Sequence, residues 1–529
     1  MSNLEAQNSG MALSMNLDML AAHLDNSVTG FNLLTETTDR AQTAQEFVLR
    51  SRKLAGGLQG LGLEQGARVA ILSLNSLEYV EGMLGTMLAG MVTVPLNIRW
   101  SPAELIYAMD HSGIEAIVFD DVFAPAVAAI KDQAKTLKIS IYAGQKEAPE
   151  GSIAYESLLG DPVDLQLDRD PETDCLISYT GGTTGFPKGV VHTHRSLLAS
   201  SLIQASNNFP IATRTYINVM PLFHIAGFGL LFSRLLQNQP MVLMPAFRPD
   251  LIGALIKKYN IGSIGMAPVM IQMYLNDPAF DADDFSGLEQ QIYGASPISK
   301  GLLDQFLETL PHVQMTQAYG MTEAGIGIFL GHQFHTGPLA NPAAAGQSGS
   351  PMLRIAIEDD NGTALPAGEV GEIVLYSPGI MSRYYNDPEQ TAEVRRNGGY
   401  RTGDVGVLDE NGVLSLKDRA KDMIISGGEN VYSAEVESAL STHPEIAQVA
   451  VIGIPDEQFG EAVHAVIVPA EGKEPTFDDV RAYAHDKIAG YKCPRSISLI
   501  DALPLSAMNK VLKNELRAPF WEGHDRGIS

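Results

Sequence analysis

Residues 179–189 read Tyr-Thr-Gly-Gly-Thr-Thr-Gly-Phe-Pro-Lys-Gly, with four glycines, three threonines and one lysine in eleven positions. Small residues let backbone N–H groups turn inward and close around an anion. Thr180, Thr183 and Thr184 add hydroxyl donors, and Lys188 adds a point charge. The stretch reads as a polyphosphate cradle. It departs from a Walker A loop: Pro187 precedes the lysine, Gly189 follows it, and the Ser/Thr that would hold magnesium is absent. A flexible surface loop is the alternative, and the rest of the chain decides between them.

Outward from this stretch the pattern is β-α-β. Residues 68–74 are a compact apolar run that predicts a buried strand. Residues 77–90 then place Leu77, Val80, Leu84, Met87 and Leu88 near one helical face. Short strands are expected at 92–95 and 116–120. The rhythm returns at 216–220, 228–237 and 240–244, then at 250–259 and 262–266. It predicts mostly parallel sheet covered by helices. The texture changes at 354–376, where short strands flank Asp359-Asp360-Asn361-Gly362, a hairpin turn signal. An antiparallel, β-barrel-like subdomain is expected there. After the charged run Lys417–Asp422 comes a tail with helices near 434–441 and 478–489 and a strand at 447–454, which reads as a separate α+β domain. The expected division is 1–420 and 421–529. The first 25 or so residues are expected to be poorly ordered.

Acidic residues outnumber basic ones 62 to 36, for a net charge of −26. That argues against nucleic acid and against an anionic membrane surface as partners. No run of about 18 uncharged apolar residues predicts a membrane span, and no secretory signal is evident. Two cysteines, Cys175 and Cys493, make no disulfide framework and fit a reducing cytosol, so a cytoplasmic location is expected.

Three more clusters join the cradle. Gln317-Ala318-Tyr319-Gly320-Met321-Thr322-Glu323 combines an aromatic plane, a close-approach glycine, a hydroxyl and a carboxylate. Tyr400-Arg401-Thr402-Gly403-Asp404 sets a carboxylate after a turn, where it can accept from two vicinal hydroxyls. Lys510 ends the polar loop Leu503–Lys510. Singly these are weak signals. In this order they resemble the adenylate-forming superfamily of acyl-CoA synthetases, peptide-synthetase adenylation domains and beetle luciferases, over residues 30 to 518 or so. The resemblance implies a large N-terminal domain and a small, mobile C-terminal one. It implies two half-reactions: carboxylic acid and ATP give acyl-adenylate and pyrophosphate, then the acyl group passes to a thiol.

The resemblance also implies roles. Thr180, Gly181, Gly182, Thr183, Thr184, Gly185 and Lys188 look like the phosphate loop. Tyr319 would stack on adenine within a wall of Gly294, Ala295, Ser296 and Pro297, beside Gln317, Ala318, Gly320 and Met321. Thr322 would touch the α-phosphate, while Glu323, with Thr184, would hold Mg²⁺. Asp404 and Arg419 would bind ribose. Lys510 would reach the reacting carboxylate, Lys421 would be the hinge, and Ser426, Gly427 and Gly428 would face the pantetheine of CoA. Three positions depart from the family pattern: Gly181 stands for serine, Asn509 for glycine and Ser433 for a common proline.

The acid itself is less legible. His224 follows Phe223 where amino-acid-activating relatives tend to carry aspartate, which disfavours an α-amino acid. His224 looks like the residue beside the substrate carboxylate. Phe228, Gly294, Gly320, Met321 and Gly325 look like pocket lining, the glycines leaving depth for an uncharged tail. A medium- or long-chain fatty acid and an aryl acid both stay open, as do free CoA and a phosphopantetheine carrier as acceptor, and monomer and homodimer. His192 and His194 alternate like metal ligands, but no third ligand stands at suitable spacing.

Overall fold

A computed structural model describes residues 15–26, 32–35, 40–180, 187–207, 214–296, 298–341, 344–419, 422–426, 429–456, 458–505 and 511–522, with the side chains of 32–35 and 419 left aside. Gly181–Gly185, Pro297, Lys421, Gly427, Gly428 and Lys510 lie outside these residues.

Four sheets carry the chain. In the first, strands run in the spatial order 325–330, 314–321, 290–294, 261–266, 215–218, 241–243, 32–35 and 41–43. All neighbours are parallel except the two edge strands, 325–330 and 41–43. The second, also of eight strands, has Arg68–Leu72 near its centre and Asp174–Thr180 paired antiparallel with Lys188–Thr193. The third is antiparallel, of six strands between 344 and 419. The fourth, of five strands between 424 and 499, belongs to the small C-terminal domain.

Local chemistry sets the element ends. Helix Leu77–Leu88 starts at Ser76, whose hydroxyl accepts from the amide of Tyr79. Ser101 and Glu104 form a capping box at Pro102–Ser112. The turn at 359–362 forms as its sequence predicts: Asp359 accepts from the amides of Asn361 (2.9 Å) and Thr363 (2.8 Å), and Gly362 takes φ +79°. Parallel strands such as Ile261–Met266 are buried along their whole length, as helices on both faces require.

One expectation fails. Within the first 25 residues, Leu17–Asp25 is a helix with Leu17, Leu20, Ala21 and Leu24 fully or almost fully buried. Its apolar stripe at i, i+3, i+4 and i+7 docks on the core, and Asn16 caps it through the amide of Met19. Asp18 is buried too, but paired with Arg169 at 2.8 Å.

Candidate active site

The predicted cradle is flanked by two antiparallel strands, Asp174–Thr180 and Lys188–Thr193. Thr180 stands opposite Lys188 in the register of the two flanking strands, with 181–186 outside the described residues. Alternation along Lys188–Thr193 puts Lys188, Val190 and His192 on one face. Arg383–Tyr384 extends the sheet beside it, with Tyr384 opposite Val190. The Lys188 ammonium lies 5.7 Å from the centre of the Tyr384 ring.

The Gln317–Glu323 cluster enters from the first sheet. The Tyr319 phenol donates to Asp404 Oδ2 at 2.6 Å, joining the first sheet to the third. Asp404 is in turn directly opposite Arg419 in the ladder of strands 399–408 and 414–419. Two positions expected to bind one ribose are therefore neighbours on one rung. Gln317 accepts from the Tyr293 phenol at 3.0 Å, and Tyr293 also meets His335 Nε2 at 2.9 Å.

Thr322 and Glu323 are held by groups that the sequence did not single out for this purpose. His192 Nε2 lies 2.7 Å from the Thr322 carbonyl, and its Nδ1 lies 3.1 Å from Ser196 Oγ. Burial lowers the His192 imidazole to about 4, so it is neutral near pH 7. The metal-like spacing of His192 and His194 has another explanation: one ring positions Thr322, and the other accepts from the amide of Leu17 at 3.3 Å. Glu323 Oε1 accepts from the Tyr384 phenol at 2.9 Å, and its carbonyl accepts from the amide of Met381 at 2.7 Å. Burial, reinforced by Glu323, pushes the Tyr384 phenol well above its ordinary range, so it stays a donor.

The glycines need a correction. Their absent side chains leave no depth behind them. A Cβ on Gly294 would lie 2.5 Å from the Ala318 carbonyl oxygen, and one on Gly320 would lie 2.3 Å from that of Gly325. Gly325 has φ +74°, and its Cβ would sit 2.0 Å from Ser200 Oγ. These positions are glycine because backbone and neighbouring chain already fill the space. Ala295, next in the wall, takes φ +67° without being glycine, a conformation uncommon for a residue with a Cβ. Ser296 follows it at the end of strand Gln290–Gly294, and Met321 is half-buried at the end of its own strand.

His224 caps helix Ile225–Leu236, its Nδ1 accepting from the amide of Ala226 at 3.2 Å. Phe228, one turn on, is fully buried in the core shared with Leu231 and Phe232. In the small domain, Ser426 is buried, and its hydroxyl has no hydrogen-bond partner among the described residues.

Comparison with known proteins adds to this geometry. A family model described as "AMP-binding enzyme" matches residues 26–385, and its C-terminal domain model matches 435–510. A fatty acid–[acyl-carrier-protein] ligase of Streptomyces coeruleorubidus is 34% identical over 93% of this chain and 94% of its own. A feruloyl-CoA synthase of an Amycolatopsis species is 34% identical over 91% and 94%. The ATP-bound structure of MatB from Rhodopseudomonas palustris superposes with a TM-score of 0.84 at 27% identity, covering 96% of this chain and all of that one. The chain belongs to the AMP-binding, adenylate-forming enzyme family, and within it to the AMP-forming acyl-CoA synthetases.

Proposed function

We propose that this enzyme activates an uncharged carboxylic acid, of aryl or medium- to long-chain aliphatic type, and passes it to the thiol of free CoA. The carrying observation is the convergence of Lys188, Thr322, Glu323, Tyr319 and the Asp404–Arg419 rung around the end of one hairpin. In the first half-reaction the acid's carboxylate attacks the α-phosphorus of ATP, the bond to pyrophosphate breaks, and a mixed anhydride forms. The loop 181–186 and Lys188 bind the β- and γ-phosphates. Thr322 donates to the α-phosphate, and His192 fixes the turn that carries it. Tyr319 stacks on adenine while Asp404 and Arg419 take the ribose. The donor set fits Mg²⁺, since Glu323 offers a hard carboxylate oxygen that the Tyr384 phenol orients. A bound Mg²⁺ would offset the charge on the phosphates. His224 lies beside the acid's carboxylate.

In the second half-reaction the CoA sulfur attacks the acyl carbon and AMP leaves. Lys510 serves only the first step, and rotation at Lys421, between domains 1–420 and 421–529, brings Ser426–Gly428 in for the second. Lys510→Ala is expected to slow adenylation ~10²–10³-fold while pre-formed acyl-adenylate still reacts with CoA near the wild-type rate. Equal loss in both half-reactions would refute the alternation. Lys421→Pro, which fixes φ near about −65°, is expected to keep adenylation and lose thioester formation. The acceptor is tested by supplying labelled acid and ATP with CoA or with a phosphopantetheine carrier. A carrier loaded while CoA stays free would replace this reading with the carrier-ligase one.

A further inference from the structure

Tyr384 touches both charged ends of the phosphate site. Its phenol donates to Glu323 Oε1 at 2.9 Å, and its ring face lies 5.7 Å from the Lys188 ammonium. It comes from a short strand, Arg383–Tyr384, more than 60 residues away from Glu323 in sequence, and that strand is clamped on both sides. Ser382 and Tyr385 donate backbone bonds to Val191 and Gly189 at 2.7 Å each, and the Tyr384 amide donates to Thr391 Oγ1 at 3.0 Å. The ring is buried, 6% exposed, in the core of the third sheet. Its position is thus fixed independently of the two charges it meets.

A carboxylate and an ammonium on one small site attract each other, and a direct pair would occupy both before any ligand arrived. A phenol ring between them answers each differently. The hydroxyl orients one carboxylate oxygen without neutralising the charge. The ring face attracts the ammonium through its quadrupole without offering it an anion. We infer that Tyr384 is a positioning residue for adenylation: it aims Glu323 at the metal and Lys188 at the phosphates, and keeps the two apart. This rests on the reading of Glu323 and Lys188 given above.

The two contacts are separable. Tyr384→Phe keeps the ring and removes the hydroxyl. Tyr384→Leu removes both. Two quantities are measured on the full-length enzyme: ATP affinity without metal, by fluorescence titration, and the Mg²⁺ concentration giving half-maximal acid-dependent pyrophosphate exchange. Outer partners of metal ligands are typically worth ~10–100-fold in metal affinity. Tyr384→Phe is therefore expected to raise the Mg²⁺ requirement ~10-fold while shifting metal-free ATP affinity less than about twofold, and Tyr384→Leu to weaken metal-free ATP binding as well. A phenylalanine variant that moves both quantities equally, or neither, overturns the inference, because a purely structural role predicts no such split. Glu323→Gln is the control. If it raises the Mg²⁺ requirement and Tyr384→Phe does not, only the role of Tyr384 falls. If Glu323→Gln leaves the requirement unchanged, the reading of Glu323 as the metal ligand falls, and the inference with it.

Discussion

The proposed phosphate site and the part of the small domain beside the expected hinge are held together by opposite means. Around the site the supports are neutral: the imidazole of His192 on Thr322, the phenol of Tyr384 on Glu323, the phenol of Tyr319 on Asp404. Beside the hinge they are ions. Asp418, just before the expected hinge, accepts from the amide of Ser433, and Ser433 Oγ accepts from Lys513 at 2.6 Å. Lys513 pairs with Glu437 at 2.7 Å, and Arg517 with Asp422 at 2.9 Å. Burial works against the charge on Lys513, but Glu437 and Asp418 hold its ammonium above its ordinary range. At the proposed site, neutral donors orient the carboxylates of Glu323 and Asp404 without adding charge of their own. Beside the expected hinge, the small domain neutralises its charges internally. The family's usual proline at 433 has no N–H, so the bond to Asp418 exists because this chain carries serine there.

Acid should break the neutral side first, and this is the largest effect expected. Burial depresses His192, His335 and His464 to about 4 and His194 to about 3. A histidine whose folded pKa lies below its unfolded value near 6.5 costs nothing above that pH. Below it the unfolded chain binds a proton that the folded one refuses, so stability falls as pH drops from about 6.5 toward 4. At pH 5 each group removes about 2 kcal/mol. Thermal melts at pH 7.5 and 5.0 should show a steep loss. Three of the four lie in the large domain, so its transition should move most, and His192→Gln should lessen the shift.

Lys513→Met attacks the ionic side. It leaves Glu437 partly buried beside no ammonium, where loss of one partner from a fully buried pair costs ~3–5 kcal/mol. Partial exposure of this pair lowers the expectation to about 2 kcal/mol of small-domain stability. Limited proteolysis should cut the variant faster beyond residue 420, and a second change, Glu437→Leu, should restore resistance. Adenylation kinetics with ATP saturating should change far less than protease resistance. A variant equally stable to protease would mean that the pair is solvated.

Tyr319→Phe is the mildest change. It removes one hydrogen bond to Asp404 and keeps the ring for adenine. Hydrogen bonds to a charged group are worth about 1.5 kcal/mol net, so the KM for ATP should rise roughly tenfold or less, with little change in the KM for the acid. Equal effects on both would indicate that the two sheets have moved apart.

Much of this architecture was legible in the sequence because it is written in local patterns. The parallel β-α-β runs, the turn at Asp359–Gly362 and the glycine-rich loop all announce themselves over ten or so residues. The Asp404–Arg419 rung was legible too, although only resemblance proposed it: the turn signal Asp409–Gly412 lies midway, and counting back along the hairpin from Leu408 and Leu414 brings the two together with one irregularity in register. What escaped was long-range. Nothing local says that His192 supports a carbonyl 130 residues away or that Tyr384 reaches Glu323. The helix at Leu17–Asp25 escaped for another reason. Its short apolar stripe sits beside charged Asp18 and Asp25, and only burial of Asp18 against Arg169 reconciles the two. The glycines at 294, 320 and 325 were read as space, whereas backbone of neighbouring strands occupies it at 294 and 320, and the Ser200 side chain at 325.

Strand Lys188–Thr193 carries two duties on one face, the loop lysine at its start and the imidazole under Thr322 near its end. Its tolerance of insertions and deletions should therefore be sharply stepped. An added residue between 181 and 186 enlarges the loop and leaves the strand in phase. An added residue between 189 and 191 turns Lys188 and His192 to opposite sides of the sheet, separating two functions that a point mutation can only remove one at a time. An insertion scan across 180–194 should show a boundary at Lys188, with graded losses before it and complete loss after it.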